Sequence, residues 1–331
     1  MKGYVLIAIT LILFGCSEEQ VSSTEKTVHL AGFLGTSSGG AVASYWKDGA
    51  YGGLTHDSIY SQVNSLYVDG STVLIGGWKI VASSPPPALI WQDGIETVID
   101  RAFGSPVLIA SRNNNLFGVW HEGLTGWVIN KNSTEQPIID TAYNIGPTGL
   151  TLLGDDMYIS GCSVWHDGKP DSKTYQNAQC WKNDQLIFRE SENSNAMSIF
   201  IHQNDIYMAG YLHDLTSSTI TACYWKNGQR VDLNVSATAT SVFVTDAHVY
   251  VSGLIIDQGV DKAVYWKDGV ATELTKEGTF SMANSVFVQG TDVHVAGYEH
   301  GYPAYWKNDV KQNISNQDRR GQIKFVVVGS N

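Results

Sequence analysis

Short runs of aromatic and β-branched residues, each closed by a turn signal, recur along the chain. The clearest is Ala-Val-Tyr-Trp-Lys-Asp-Gly at residues 263–269. Aromatic and β-branched residues favour a pleated strand, and Asp-Gly supplies the positive φ angles of a two-residue type I′ turn. Each copy therefore predicts a β-hairpin. Related phrases surround Trp46, Trp91, Trp181, Trp225 and Trp306.

The hairpin belongs to a unit of roughly 40 to 50 residues, the period typical of propellers and solenoids. The cleanest copy predicts four strands, A to D, at residues 285–288, 292–297, 303–307 and 310–314. The adjacent Tyr-Trp of strand C places bulky rings on both faces of its sheet, whereas a sheet with one solvated face would alternate apolar and polar residues. Blades stacked around a ring would bury both faces.

Strand C positions count seven units, with Trp46, Trp91, Asn130, Trp181, Trp225, Trp266 and Trp306. The third unit keeps the turn but has Asn130 in place of Trp. A rival register would use Trp120 or Trp165 as the strand C aromatic. Trp120 lies too close to Trp91 to leave room for three intervening strands, but the sequence leaves the Trp165 alternative open in the fourth unit.

The two ends of the repeat region complement each other. Residues 28–32 predict a strand B, and residues 323–328 predict a strand A with no strand B after it. A closed ring pairs the last strand with the first three and removes the exposed edges. The sequence therefore predicts an all-β, seven-bladed β-propeller over residues 28–331, with four-stranded blades and a first blade closed by the C-terminal strand. It is expected to be a monomer.

The repeat resembles the extracellular HAF repeats of bacterial secreted proteins. The shared elements are an apolar strand ending in Ala-Gly-Tyr, then Ala-x-Tyr-Trp-Lys-Asn-Gly and an x-Leu-Thr segment. The architecture is similar in logic to WD-repeat and kelch propellers without their signature residues. The chain lacks the His-Ala-Phe triplet, and the resemblance implies no particular activity.

The N-terminus has the features of an export signal. Lys2 precedes an apolar stretch that is too short to span a bilayer. The sequence Leu-Phe-Gly-Cys at 13–16 resembles the lipobox of bacterial lipoproteins, which implies a signal peptide at 1–15, acylation of Cys16 and a polar tether at 16–27. The alternative is an ordinary secretory signal that contains Gly-Cys. We expect a lipid-anchored protein of the bacterial cell envelope, at the outer membrane.

Charge and motifs exclude several function classes. The net charge of −11 and the lack of a Lys/Arg cluster argue against nucleic-acid binding. Residues 35–39 match the Gly-x-Ser-x-Gly nucleophile pattern but sit in a loop between strands, without the helix that this motif needs. No phosphate-binding loop, zinc motif or calcium loop is present. We expect no cofactor and no metal.

Three cysteines follow Cys16. Cys162 and Cys180 fall in neighbouring strands B and C of one unit, so the exported setting favours a disulfide between them. The alternative is three buried free thiols. Cys223 stays free in either case.

The function hypothesis places a ligand on one face of the propeller. The loops between strands B and C vary most, and they emerge on one face together with the connections from D to A; we call this the B–C face, and the opposite one the C–D face. Variable loops on a rigid scaffold usually carry recognition. The candidate ligand-binding residues at the axial mouth are Trp78, Trp165, Tyr211, His213, Tyr298 and His300.

Two functions fit this picture. The first is a non-enzymatic, lipid-anchored module that binds or scaffolds a protein or glycan. The alternative is a propeller hydrolase or lyase acting on extracellular polysaccharide. An enzyme needs convergent carboxylates, or a His with a carboxylate, in the axial mouth, whereas a binder needs exposed aromatic rings there.

Overall fold

In the part of the chain that the structure describes, seven four-stranded antiparallel blades form a closed ring. This computed structural model describes residues 26–330 apart from 38, 57–58, 82–85, 104–106, 123–125, 133, 139–143, 167–173 and 276–279. Within those residues, no helix is long and apolar enough to cross a membrane. The predicted seven-bladed propeller is confirmed.

The blades follow the chain in order. Blade 1 contains β1 (Lys26–Gly35), β2 (Ala41–Lys47), β3 (Ala50–Gly53) and β28 (Gly321–Ser330). Blade 2 contains β4 (Ser61–Asp69), β5 (Thr72–Lys79), β6 (Pro87–Gln92) and β7 (Ile95–Phe103). Blade 3 contains β8 (Leu108–Arg112), β9 (Asn115–Glu122), β10 (Gly126–Lys131) and β11 (Thr134–Pro137). Blade 4 contains β12 (Asn144–Leu153), β13 (Asp156–His166), β14 (Thr174–Lys182) and β15 (Gln185–Arg189).

The second half of the ring continues the same pattern. Blade 5 contains β16 (Ser194–His202), β17 (Asp205–Asp214), β18 (Thr219–Lys226) and β19 (Gln229–Val235). Blade 6 contains β20 (Ala237–Val244), β21 (Val249–Asp257), β22 (Val260–Lys267) and β23 (Val270–Glu273). Blade 7 contains β24 (Ser281–Gln289), β25 (Asp292–Glu299), β26 (Tyr302–Lys307) and β27 (Val310–Lys311).

The ring closes where the sequence predicted. Strand β28 pairs antiparallel with β1, from Lys26 opposite Ser330 to Leu34 opposite Gly321, and so provides strand A of blade 1. Strand β1 begins two residues before the predicted boundary at Val28. Closure by the last strand leaves the ring without an open edge between its first and last blades.

The repeated Trp-Lys-Asp/Asn phrase ends strand C at a turn with a left-handed residue. Asp93 and Asn227 both have a φ of 50° there. The side-chain oxygen of each accepts a hydrogen bond of 2.8 Å from the backbone amide of the second strand B residue, Val73 or Ile206. The same bond forms at Asp48, Asn183, Asp268 and Asn308. The turn therefore ties the C–D hairpin to strand B, which explains its repetition.

The strand C tryptophans join neighbouring blades. Each is at most 1% exposed and packs against the preceding blade, as Trp225 of blade 5 packs against Tyr158 and Cys180 of blade 4. The indole nitrogens of Trp46, Trp225 and Trp266 donate to the Ser315 carbonyl, the Glu190 carboxylate and the Asn234 amide oxygen, respectively. Burial of these rings stabilises the contact between neighbouring blades.

Blade 3 fills the same space between blades with a Trp from strand B instead of strand C. Trp120 lies in strand B at the position held by Gly77 in blade 2, and Asn130 lies in strand C where blade 2 has Trp91. The Trp120 ring covers Gly118, just as the Trp91 ring covers Gly77. The indole still packs against the preceding blade. Both rival registers are wrong, because Trp120 and Trp165 belong to strands B.

The predicted disulfide between Cys162 and Cys180 is not formed. All three cysteines of the described residues are buried free thiols. Cys162 lies opposite Ala178 and Cys180 lies opposite Ser160, so the two cysteines are diagonal neighbours rather than a facing pair. Diagonal positions are too far apart for ordinary disulfide geometry. Burial raises the pKa of Cys162 to about 11 and that of Cys180 to about 12.

Candidate functional site

A cavity of about 180 Å³ lies on the ring axis and is lined by strand A residues of every blade. Strand A carries a β-bulge in six blades, and the extra residue is Lys324, Asn64, Thr148, Met197, Thr240 or Asn284. Among the described residues lining this cavity, none is Asp, Glu or His. The lining instead offers amides, hydroxyls and apolar groups.

The bulge side chains connect blades around the axis. Thr148 donates to the Ala196 carbonyl at 2.6 Å, and Asn284 donates to the Ile323 carbonyl at 2.7 Å. The bulge also crowds strand B, since a Cβ on Gly297 would lie 1.9 Å from the Met282 carbonyl oxygen. The glycines that end the predicted strands B are therefore required by close backbone approach.

The axis is apolar toward the C–D face. Phe200, Phe243 and Phe287 come from the strands A of blades 5, 6 and 7, near their A–B turns, and their ring centroids are 4.6 Å apart in each successive pair. Blades 5 to 7 therefore place an apolar cluster of rings on the C–D side of their strands A.

Three predicted aromatic residues occupy one repeat position. Trp78, Tyr211 and Tyr298 each follow the strand B glycine, and they lie opposite Gln62, Asn195 and Met282 of strand A. Phe33 of blade 1 holds the same position opposite Gln322. The sequence interpretation missed Phe33, although Ala-Gly-Phe at 31–33 matches Ala-Gly-Tyr at 296–298.

The exposed aromatic surface belongs to the D–A connections rather than to strand B. Tyr298 is only 9% exposed, and Phe280, which is 65% exposed, packs on it in a tilted arrangement with the ring centroids 5.0 Å apart. In blade 2, Tyr60 is 36% exposed and packs on Trp78 in the same tilted way, with the ring centroids 5.5 Å apart. Burial also raises the pKa of the Tyr298 hydroxyl. Tyr60 and Phe280 immediately precede strand A, and the sequence interpretation did not select them.

The two predicted histidines do not join one site. His213 lines a cleft of about 590 Å³ with residues of blades 4 and 5, including Tyr175 and Glu192. His300 is exposed and lines another cleft of about 590 Å³, with Tyr302 and Lys311. No cluster of potential metal ligands occurs among the described residues.

The structure does not describe the side chains of two predicted site residues. The backbone of Trp165 pairs with Tyr175 in blade 4, but the Trp165 side chain is not among the described ones. Cys16, the predicted lipidation site, also lies outside the described residues.

Solved structures with the same fold include two peptidases. The chain is similar to the uncomplexed acylaminoacyl peptidase of Pyrococcus horikoshii, with 14% identity and a TM-score of 0.51 over 76% of this chain and 46% of that one. It is also similar to a puromycin-hydrolyzing peptidase of Mycobacterium tuberculosis, with 8% identity and a TM-score of 0.52 over 78% of this chain and 46% of that one. This chain thus spans less than half the length of either peptidase.

At these identities the comparison shows the propeller fold and no more. No protein-family model matches the chain. No curated protein matches it by sequence.

Proposed function

We propose that this protein is a non-enzymatic binding module of the bacterial cell envelope, anchored by a lipid on Cys16, that binds a glycan through its B–C face. The observation that carries the proposal is the two aromatic platforms on that face, the tilted ring pairs Tyr60–Trp78 and Phe280–Tyr298. A sugar ring has an apolar C–H face and a hydroxylated edge, so it fits a flat aromatic surface beside amides and hydroxyls. A protein ligand is the other occupant that the sequence leaves open.

The platforms lie on blades 2 and 7, which flank blade 1 in the closed ring. Blade 7 contacts blade 1 through Asn284 and Ile323, and blade 1 contacts blade 2 through a 2.9 Å bond from the Ala43 amide to Ser61 Oγ. Phe33 adds a ring at the equivalent position of the blade between them. An extended chain of several sugars could therefore contact successive blades.

Binding to purified polysaccharides, in affinity electrophoresis, tests the proposal. Phe280→Ala and Tyr60→Ala should each weaken retardation at least tenfold, since well-packed aromatic anchors dominate recognition. The matched control is Val270→Ala, because Val270 is 70% exposed on the C–D face. A bound polysaccharide whose affinity is unchanged by both aromatic variants, or failure to bind any polysaccharide, would refute a glycan-binding B–C face.

The alternative, a hydrolase or lyase acting on extracellular polysaccharide, needs acid–base chemistry at the axis. Among the described residues, two His–Asp pairs occur near the surface, His202–Asp246 at 2.9 Å and His248–Asp268 at 2.6 Å, and both lie on the C–D face. Assays for new reducing ends and for unsaturated sugars, run on every polysaccharide that binds, should show no turnover. Turnover that survives removal of contaminating enzymes would favour the alternative.

A further inference from the structure

Blade 1 places a cation where the other bulged blades place a neutral residue. The bulge position holds Asn64, Thr148, Met197, Thr240 and Asn284 elsewhere, and all of these line the axial cavity. In blade 1 it holds Lys324, which is not among the residues that line the cavity. The Lys324 ammonium nitrogen lies 5.9 Å from the centroid of the Phe33 ring. Because Phe33 holds the strand B position of Trp78 and Tyr298, this ammonium group lies toward the B–C face.

The protein itself provides Lys324 with no counter-ion among the residues that the structure describes. The side chain is partly buried, and burial lowers the pKa of its ammonium group. No carboxylate of the described residues lies within ion-pair distance of it. A desolvated cation in such a position is unfavourable unless a ligand supplies the opposite charge.

The surrounding charge also favours an anion. Arg319, Arg320 and Lys324 fall within six residues of a chain whose net charge is −11. The Arg319 guanidinium donates to the Gly35 carbonyl at 2.8 Å, and that of Arg320 lies 5.6 Å from the Tyr302 ring centroid. Both arginines thus have partners within the protein while adding positive potential on blade 1, which attracts anionic ligands.

A neutral hydrogen-bonding group completes the surroundings. Asn64, at the equivalent bulge of the adjacent blade 2, lines the cavity, and its buried Oδ1 has no hydrogen-bond partner. A hydroxyl group of a ligand is one donor that would satisfy this acceptor, since buried polar atoms are normally paired. The combined features select a ligand with a carboxylate, hydroxyl groups and an apolar ring face.

We propose that the B–C face beside the axial cavity binds the carboxylate of a uronic acid residue through Lys324, so that the ligand is an acidic polysaccharide. This inference rests on the proposed glycan-binding function and names its substrate class. The carboxylate accepts hydrogen bonds from the Lys324 ammonium group, a sugar hydroxyl donates to Asn64 Oδ1, and neighbouring sugars pack on the aromatic platforms.

Isothermal titration with tetramers of galacturonate, guluronate and mannuronate, and with their methyl esters, tests the inference. Esterification removes the charge but keeps the sugar, so at least one acid should bind tenfold or more tightly than its ester. Lys324→Met should remove that difference while leaving ester binding unchanged. Met197 occupies the equivalent position of blade 5, so this variant is expected to fold, and its melting temperature should not fall. Lys267→Met, on the C–D face, is the matched control and should bind like the unaltered chain.

The outcomes separate the two proposals. Equal affinity for acid and ester, or an equal loss of both in Lys324→Met, overturns the uronate site while neutral-glycan binding sensitive to Phe280→Ala would keep the proposed function. Absence of binding to every tetramer also overturns the uronate site. Hexaglutamate should not bind measurably; binding as tight as that of the best tetramer would show a peptide carboxylate site and overturn the inference.

Discussion

Two buried His–Tyr pairs occupy equivalent positions in adjacent blades. His294 Nδ1 lies 2.7 Å from the Tyr305 hydroxyl in blade 7, and His29 Nδ1 lies 2.6 Å from the Tyr45 hydroxyl in blade 1. Both histidines are at most 5% exposed. Burial lowers the pKa of both, that of His294 to about 4. These residues therefore stay neutral in the folded protein near neutral pH.

This burial predicts a loss of stability in mild acid. Between pH 6.5 and about 4 the unfolded chain binds a proton at position 294 that the folded chain does not, so the free energy of unfolding falls as the pH falls. The loss from His294 is on the order of 3 kcal/mol across that window. Urea denaturation at a series of pH values measures it.

A matched variant isolates the effect. Blades 4, 5 and 6 hold Tyr158, Tyr207 and Tyr250 at this strand B position, so His294→Tyr is expected to fold and to flatten the acid side of the profile. His56→Gln, which changes an exposed residue, should leave the profile unchanged. A His294→Tyr profile as steep as that of the unaltered chain would contradict the assignment.

At the scale of the element, the residue at the C–D turn and the residue that faces it at the start of strand B are matched so that only one of the two is a carboxylate. Asn227 donates to the Asp205 carboxylate at 2.7 Å, and Asn183 and Asn308 bond Asp156 and Asp292 in the same way. Where the turn residue is Asp48, Asp93 or Asp268, the strand B residue is instead Thr27, Thr72 or His248. The pattern avoids two facing carboxylates.

This pattern predicts a single and a compensating substitution. Asn227→Asp should lower the melting temperature, because it replaces a donor by a second carboxylate facing Asp205. Adding Asp205→Thr recreates the Thr72–Asp93 arrangement of blade 2 and should restore much of the loss. Differential scanning calorimetry compares the three proteins. A double variant no more stable than Asn227→Asp would show that the facing carboxylates are not the cause.

The exchanged residues of blade 3 make a second prediction. Trp120→Gly should cost about 3–5 kcal/mol of unfolding free energy, because a nearly buried indole leaves a cavity. Adding Asn130→Trp fills the same space from strand C, as Trp91 does in blade 2, and should recover part of that loss. Urea denaturation measures both values. A double variant that is less stable than Trp120→Gly alone would refute the idea that the two positions can exchange the Trp.

The fold could be predicted from these elements because each repeats. Strand C tryptophans and their turns fixed the number of blades, and even the degenerate third blade kept its turn at Asn132. The candidate site was predicted less completely because burial depends on register. Tyr298 follows the repeat but is covered by Phe280, and Lys324 is the extra residue of a bulge that the sequence does not reveal.

The predicted disulfide was wrong because it, too, depended on register. Cys162 and Cys180 lie in neighbouring strands as predicted, yet their register is offset by two residues. Strand order follows from the repeat, whereas the facing pairs depend on where each bulge falls.

At the scale of the whole molecule, closure by β28 links the first and last blades. The Val326 amide donates to Ser285 of blade 7 at 3.2 Å, and β28 forms the inner edge of blade 1. Deleting residues 323–331 should therefore abolish cooperative thermal unfolding or cause aggregation, because strand edges become exposed on both sides. Deleting residues 17–24, which precede β1, is the control and should leave the melting curve unchanged. An unaltered melting curve for the first deletion would contradict a ring closed by this strand.

The net charge of the whole molecule affects how it binds an acidic polysaccharide. A chain with a net charge of −11 should repel acidic polysaccharides overall, so their binding requires a local site such as that around Lys324. Moderate salt screens the general repulsion more than the partly buried contact. The uronate affinity measured by titration should accordingly rise slightly between low and physiological salt.

Hydrogen–deuterium exchange with and without the tightest-binding uronate tetramer tests the central claim most directly. If the ligand binds on the B–C face, exchange should be slower in peptides covering 60–64, 280–284 and 319–324, which carry the aromatic platforms and Lys324. Peptides covering the C–D turns at 48–49, 93–94 and 268–269 should exchange at unchanged rates. Protection confined to those turns, or equal on both faces, would contradict a ligand site at the B–C end of the axis.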